Sequence, residues 1–137
     1  MPDVNDFNAK IIEEFRANGG KVGGPFAGAP VLLLTTTGAR TGARRTNPLA
    51  YLADDGRLVV FASKAGAPTN PAWYHNLKAN PLVTVEVGAE TKQLRAVEVT
   101  GDERDRLYAE QANRMPGFAE YQAKTDRKIP VIALVEP

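Results

Sequence analysis

The chain has 137 residues, 43% of them hydrophobic and 24% charged, which predicts one globular domain large enough to bury a core. It has no cysteine and one histidine, His75, so disulfides, thiolate chemistry and a Cys/His zinc site are excluded. The net charge is only +1, yet residues 15–85 carry eight basic side chains against two acids, Asp54 and Asp55, a local +6. Charge gathered in this way focuses a field suited to an anionic ligand. The start, MPDVNDFNAK, has no apolar secretory run, and Val31 to Leu34 is too short to span a bilayer. The expected location is the cytoplasm, with at most weak peripheral membrane contact.

The elements follow in chain order. Residues Asn5 to Asn18 predict an amphipathic helix, with Phe7, Ile11 and Phe15 on one face and Gly19-Gly20 as its stop. Lys21 to Ala29 reads as loop. Pro30 to Thr37 predicts a strand, Gly38 to Gly42 a turn, and Arg44 to Ala53 a second strand. Asn47-Pro48 within that strand predicts an edge, bulge or bend, because proline cannot donate to a ladder. Asp54-Asp55-Gly56 predicts a hairpin into a strand over Arg57 to Ser63. Asn70 reads as N-cap and Pro71 as first residue of a helix that ends near Ala79, before Asn80-Pro81.

Leu82 to Val87 and Thr91 to Val99 predict two more strands joined at Gly88. Thr100 to Glu103 reads as a capping box opening a helix to about Met115. Pro116 starts a shorter helix to about Lys124, and Ile129 to Val135 is a last strand. Six strands with tight turns and helices set outside predict a mainly β, α+β fold. The form expected is a small antiparallel barrel, closed or split, in one domain over residues 1–137, with an N-terminal helix over residues 1–20 and the barrel and its helices over residues 30–137.

Chemistry is scarce in this sequence. It has no P-loop, G-x-S-x-G or H-E-x-x-H motif, and a Ser63–His75 pair lacks a third orienting group. Such a chain either binds without reacting or takes its chemistry from a cofactor. Arg40, Arg44 and Arg45 flank a Thr/Gly turn, where planar guanidinium groups suit phosphate or carboxylate. A second cluster follows: Ser63-Lys64 at a strand end, then Trp73 and Tyr74 in the first turn of a helix, whose N-terminus favours anions. Together these predict a flat aromatic ligand with an anionic tail. Nucleic acid is not the expected partner, since no recognisable binding module accompanies the arginines.

Three stretches, TTTGARTGARRTNPLAYL, VVFASKAGAPTNPAWYHNLKANP and TDRKIPVIALVEP, together resemble the deazaflavin (coenzyme F420)-dependent nitroreductase family of split-β-barrel oxidoreductases. The resemblance implies the FMN-binding split-barrel fold, coenzyme F420 as cofactor and no metal. It implies that Arg40, Thr41, Arg44 and Arg45 face the phosphate and tail carboxylates, with Ala39 and Thr46 also among the cofactor-binding residues. Asn47, Pro48, Leu49 and Ala50 would run along the ring pocket. Phe61, Ala62, Ser63 and Lys64 would add donors, with Lys64 near an anionic group. Ala72, Trp73, Tyr74, His75 and Asn76 would flank the coenzyme, and Phe118 would cover the substrate side of the ring.

The implied reaction is hydride transfer from the reduced coenzyme, F420H2, to quinones, activated enones or lactones, or nitroaromatics. Ser63 or Tyr121 would deliver a proton or polarise the acceptor. Met115 and Phe118 stand where some members carry tyrosines, so quinones or enones are expected ahead of bicyclic nitroimidazoles. Two alternatives stand beside this: an FMN-dependent oxidoreductase on the same barrel, and a non-catalytic carrier of the coenzyme or an apolar ligand. A homodimer is compatible with all three.

Overall fold

The computed structural model describes residues 4–23 and 30–137, with side chains of the first helix from residue 8 onward. The Phe7 side chain and residues 24–29 of the expected loop lie outside that range. Six strands are seen: β1 (Val31–Thr37), β2 (Arg44–Asp54), β3 (Arg57–Phe61), β4 (Leu82–Val87), β5 (Glu90–Val99) and β6 (Val131–Val135). They close into one antiparallel barrel in the order β1-β2-β3-β6-β5-β4. The helices are α1 (Val4–Ala17), α2 (Ala72–Ala79), α3 (Gly101–Arg114) and α4 (Gly117–Ala123), with a 3-10 turn over Lys64–Gly66. The expected six-stranded barrel with helices is therefore the fold.

Side-chain alternation explains the closure. Leu32 and Leu34 of β1, Val60 of β3, Val83 and Val85 of β4, and Ile132 and Leu134 of β6 meet inside the barrel. The opposite faces are covered too. Val31 and Leu33 pack against Phe15 of α1. Val59, Phe61 and Val131 pack against Leu107 and Tyr108 of α3 and Phe118 of α4. Strands covered on both faces read as continuous apolar runs, which is why β1, β3 and β6 show no polar alternation. The hairpin between β2 and β3 is the expected two-residue one: Asp55 and Gly56 have φ of 49° and 81°, the pair of left-handed residues that such a turn needs.

Pro48 marks an opening. Residues 44–50 of β2 pair with β1, whereas pairing with β3 runs only from Asp54↔Arg57 to Tyr51↔Val60. Ala50 and Phe61, the next positions in register, do not pair with each other: Ala50 pairs only with Val31 of β1 and Phe61 only with Val131 of β6. The strands part there, and the missing N–H of Pro48 falls on the unpaired side.

Three local expectations give way to tertiary partners. The helix α2 starts at Ala72 with Pro71 in the cap position, and Asn70 does not cap it. Its amide oxygen instead accepts from Arg127 Nη1 at 2.8 Å. Thr100 precedes α3 without a side-chain capping bond, and Glu103 turns away to Arg57 at 2.9 Å. The strand β6 begins at Val131, because the Ile129 carbonyl is held by Arg104 Nε at 3.1 Å and Nη2 at 2.7 Å.

Candidate functional site

Helix α2 is not peripheral. Trp73 and Leu77, 6% and 2% exposed, point into the barrel interior and plug one mouth. Burying two such side chains contributes about 2–3 kcal/mol each. Polar bonds then fix the plug on two sides. Toward β1, Asn76 Nδ2 donates to Thr36 Oγ1 at 3.2 Å, and Asn76 Oδ1 accepts from the Ala39 N–H at 3.0 Å. Toward β5, the Tyr74 hydroxyl and Lys78 Nζ both donate to Glu98 Oε1, at 2.7 and 2.9 Å.

This second anchor shifts both acids. Burial, helped by the neighbouring carboxylate, pushes the Tyr74 hydroxyl up to about 12. Burial also works to raise Glu98, but the hydrogen bonds from Lys78 and Tyr74 outweigh it and hold the carboxyl below the usual glutamate range.

The bond from Asn76 to Ala39 ties α2 to the arginine turn. That turn is tight: a Cβ on Gly38 would stand 2.8 Å from Thr41 Oγ1, and Gly42 has φ of 71°. Between the turn and the start of α2 lies a cleft of about 740 Å³, within the usual range for small-molecule sites. Arg40, Thr41, Arg45 and Asn47 line one side; Ala72, Trp73, His75 and Asn76 line the other. The cleft thus gathers nine of the residues expected at a cofactor site, Ala39 included, from segments some 30 positions apart.

Strand parity sends other expected residues elsewhere. Arg45 and Asn47 share the inward face of β2 with Leu49 and Tyr51, which pack on the barrel interior. Arg44 and Thr46 face outward. Arg44 Nη2 donates to Thr84 Oγ1 at 3.0 Å, and the Thr46 and Thr35 hydroxyls bond at 2.8 Å. Pro48 and Ala50 are also on the outer face, but Pro48 is buried there, and Ala50 packs on the cluster that holds Phe61 and Phe118.

Ala62 is buried inside the barrel. Ser63 and Lys64 lie at the start of the 3-10 turn, where Lys64 Nζ donates to Thr69 Oγ1 at 3.2 Å. Phe118 is 7% exposed and sits edge-on to Phe61, with ring centroids 5.7 Å apart. Tyr121 leans on Phe118 at 5.2 Å. These residues flank the place where β2 and β3 part and do not line the arginine cleft.

Sequence reasoning missed Arg127, Glu98 and the bridging role of Asn76. Arg127 donates to the carbonyls of Ala67, Ala62 and Ser63 and to the Asn70 side chain, at 2.8, 3.1, 2.8 and 2.8 Å. Nothing local in TDRKIP signals that reach. Among the described residues, no helix is long and apolar enough to cross a membrane.

Comparison with known proteins agrees with this geometry. The family model for the F420H(2)-dependent quinone reductase matches residues 9–136. An F420H(2)-dependent quinone reductase of Mycobacterium tuberculosis (strain H37Rv) is 42% identical over 127 residues, covering 88% of this chain and 83% of the relative. The solved structure of an F420-H2 dependent reductase, FDR-A, superposes with a TM-score of 0.70 at 42% identity, over 77% of this chain and 93% of that one. A second solved structure, described as a domain-swapped dimer, has a TM-score of 0.72 at 38% identity, over 96% of both chains. The chain belongs to the F420H(2)-dependent quinone reductase family.

Proposed function

We propose that this chain reduces quinones with the reduced deazaflavin coenzyme F420H2, held in the arginine cleft and along the parted strands β2 and β3. The observation that carries the reading is the pair Arg40 and Arg45 lining a cleft whose opposite wall is Trp73 and the start of α2. Two guanidinium groups suit a phosphate and carboxylate tail, and the tryptophan wall suits a flat ring. The donor set therefore fits this coenzyme.

The coenzyme supplies the hydride, and the chain's residues do the rest. Arg40, Thr41 and Arg45 hold the anionic tail, with Ala39 in the turn that carries them. Asn47 and the backbone edge of residues 48–50, left unpaired with β3, orient the ring, with Leu49 closing the barrel behind them. Ala72, His75 and Asn76 form the facing wall. The aromatic cluster of Phe61, Tyr108 and Phe118 excludes water at the far side of the split. Ser63 or Tyr121 holds the proton that must follow the hydride, at its hydroxyl oxygen.

Quinones lead because the matching family and the relatives carry that substrate in their names. Activated enones and nitroaromatics extend the range to any acceptor whose added charge a hydroxyl can neutralise. Pairing of two copies is the assembly we infer, in line with the domain-swapped neighbour and with Leu82 and Val97, which remain 57% and 44% exposed; a monomeric mass in sedimentation would contradict it.

The test is oxidation of F420H2 by a soluble naphthoquinone with the purified protein. Turnover that falls at least tenfold on Arg45→Ala supports the reading. Saturable coenzyme binding with no turnover on quinones, enones or nitro compounds would replace it with a carrier role.

A further inference from the structure

The densest side-chain clamp near the parted strands is made by a residue outside the cleft. Arg127 follows α4, and its guanidinium spans three carbonyls, those of Ala62, Ser63 and Ala67, and the amide oxygen of Asn70. Four hydrogen bonds from one fork fix both ends of the segment that joins β3 to α2. All four partners are neutral. The segment between them is contorted: Lys64, Ala65 and Gly66 have φ of 44°, 53° and 80° in succession. Left-handed conformations at non-glycine residues persist only where surrounding contacts over-determine them. Gly66 is also pressed on α4, since a Cβ there would lie 2.7 Å from the Tyr121 carbonyl. Arg127 and α4 therefore hold the turn from two sides.

We propose that Arg127 is a positioning residue of the coenzyme site, setting the Ser63–Lys64 turn and the start of α2 in the geometry that receives the ring. The proposal rests on the coenzyme reading above. Its chemistry is that of a planar fork: five N–H donors in fixed directions, which a lysine cannot reproduce. The guanidinium charge meets no carboxylate in this clamp, and burial lowers its pKa. It thus adds positive potential behind the turn, beside Lys64, where an anionic ligand group gains from it. A displacement of about 1 Å at such a turn is enough to cost on the order of 100-fold in a reaction that needs aligned orbitals.

The experiment compares wild type with Arg127→Lys, Arg127→Met and Asn70→Ala. Amide hydrogen exchange over residues 62–71 is read without coenzyme, and oxidised F420 is titrated against Trp73 fluorescence. The expected result for Arg127→Lys is a folded protein whose exchange quickens in this segment alone, by about tenfold or more, and whose coenzyme Kd rises about tenfold. Arg127→Met loses more, and added guanidinium ion restores part of its binding. Asn70→Ala, which removes one of the four bonds, shows the same pattern in weaker form. A folded Arg127→Lys with wild-type exchange and wild-type Kd would overturn the proposal, as would faster exchange with unchanged Kd. Failure of the wild type itself to bind F420 would instead overturn the coenzyme reading, while the exchange arm still reads the clamp.

Discussion

Asn76 is the joint between the barrel plug and the arginine turn, and Asn76→Ala tests that joint. The side chain is 9% exposed and makes two hydrogen bonds, to Thr36 Oγ1 and from the Ala39 N–H. A buried hydrogen bond contributes about 1 kcal/mol net, and a buried partner left unmade adds its desolvation cost. Thr36 is 1% exposed, so water cannot replace its lost partner; Ala39 is exposed, so its N–H can turn to solvent. The expected loss is about 2 kcal/mol, or roughly 6–10 °C in Tm for a domain of this size. The assay is denaturant unfolding followed by Trp73 emission, since that side chain reports on the same helix. Asn76→Asp separates the two bonds. It keeps the acceptor for Ala39, and the Thr36 hydroxyl can rotate to donate, so stability falls by less than about 1 kcal/mol. Its new negative charge stands in the cleft opposite Arg45, so coenzyme binding falls sharply. A loss below about 0.5 kcal/mol for Asn76→Ala would refute the claim that this residue ties the turn to the plug.

Other expectations follow from the same contacts. Tyr74 and Tyr108 are both pushed up to about 12, chiefly by burial, so Tyr74→Phe and Tyr108→Phe should each remove ultraviolet absorbance that rises only well above pH 10; loss of absorbance that rises near pH 10 instead would contradict the packing. Glu98 has a folded pKa below its ordinary value of 4.5, so its ion pair stabilises the protein above that pH, and the contribution is lost as pH falls through the folded value. Glu98→Gln should therefore flatten the acid limb of stability below about pH 4.5, and an unchanged limb would show that other carboxylates dominate it. Gly66→Ala places a Cβ at φ of 80° and 2.7 Å from the Tyr121 carbonyl, so it should cost about 2–3 kcal/mol and loosen α4; wild-type thermal stability would mean the turn is free to move.

What was legible in the sequence was local. The glycine-flanked arginine turn, the Asp55-Gly56 hairpin and the proline in β2 each carry their geometry in adjacent residues, and each appears as read. The family resemblance joined pieces that spacing alone could not. The misreadings share one cause. Asn70 and Thr100 have the chemistry of helix caps, but Asn70 is taken by Arg127, 57 positions away, and the box partner of Thr100, Glu103, goes to Arg57. Long-range partners also hid Glu98 and Arg127, whose roles exist only once the barrel has closed. Arg44 looked equivalent to Arg45 in sequence; strand alternation places them on opposite faces, which a turn-centred reading could not separate.

The proposed reductase depends on a tailed deazaflavin held in the arginine cleft against the single tryptophan. Titration of the purified protein with oxidised F420, read by quenching of Trp73 fluorescence and run beside FMN, tests it most directly. Trp73 lines the cleft and is 6% exposed, so a ring bound there must change its emission. The expected result is saturable quenching by F420 at micromolar concentration or below, far weaker quenching by FMN, and loss of that preference in the Arg40→Ala, Arg45→Ala double variant. Equal binding of the two ligands, or quenching that survives the double variant undiminished, would contradict it.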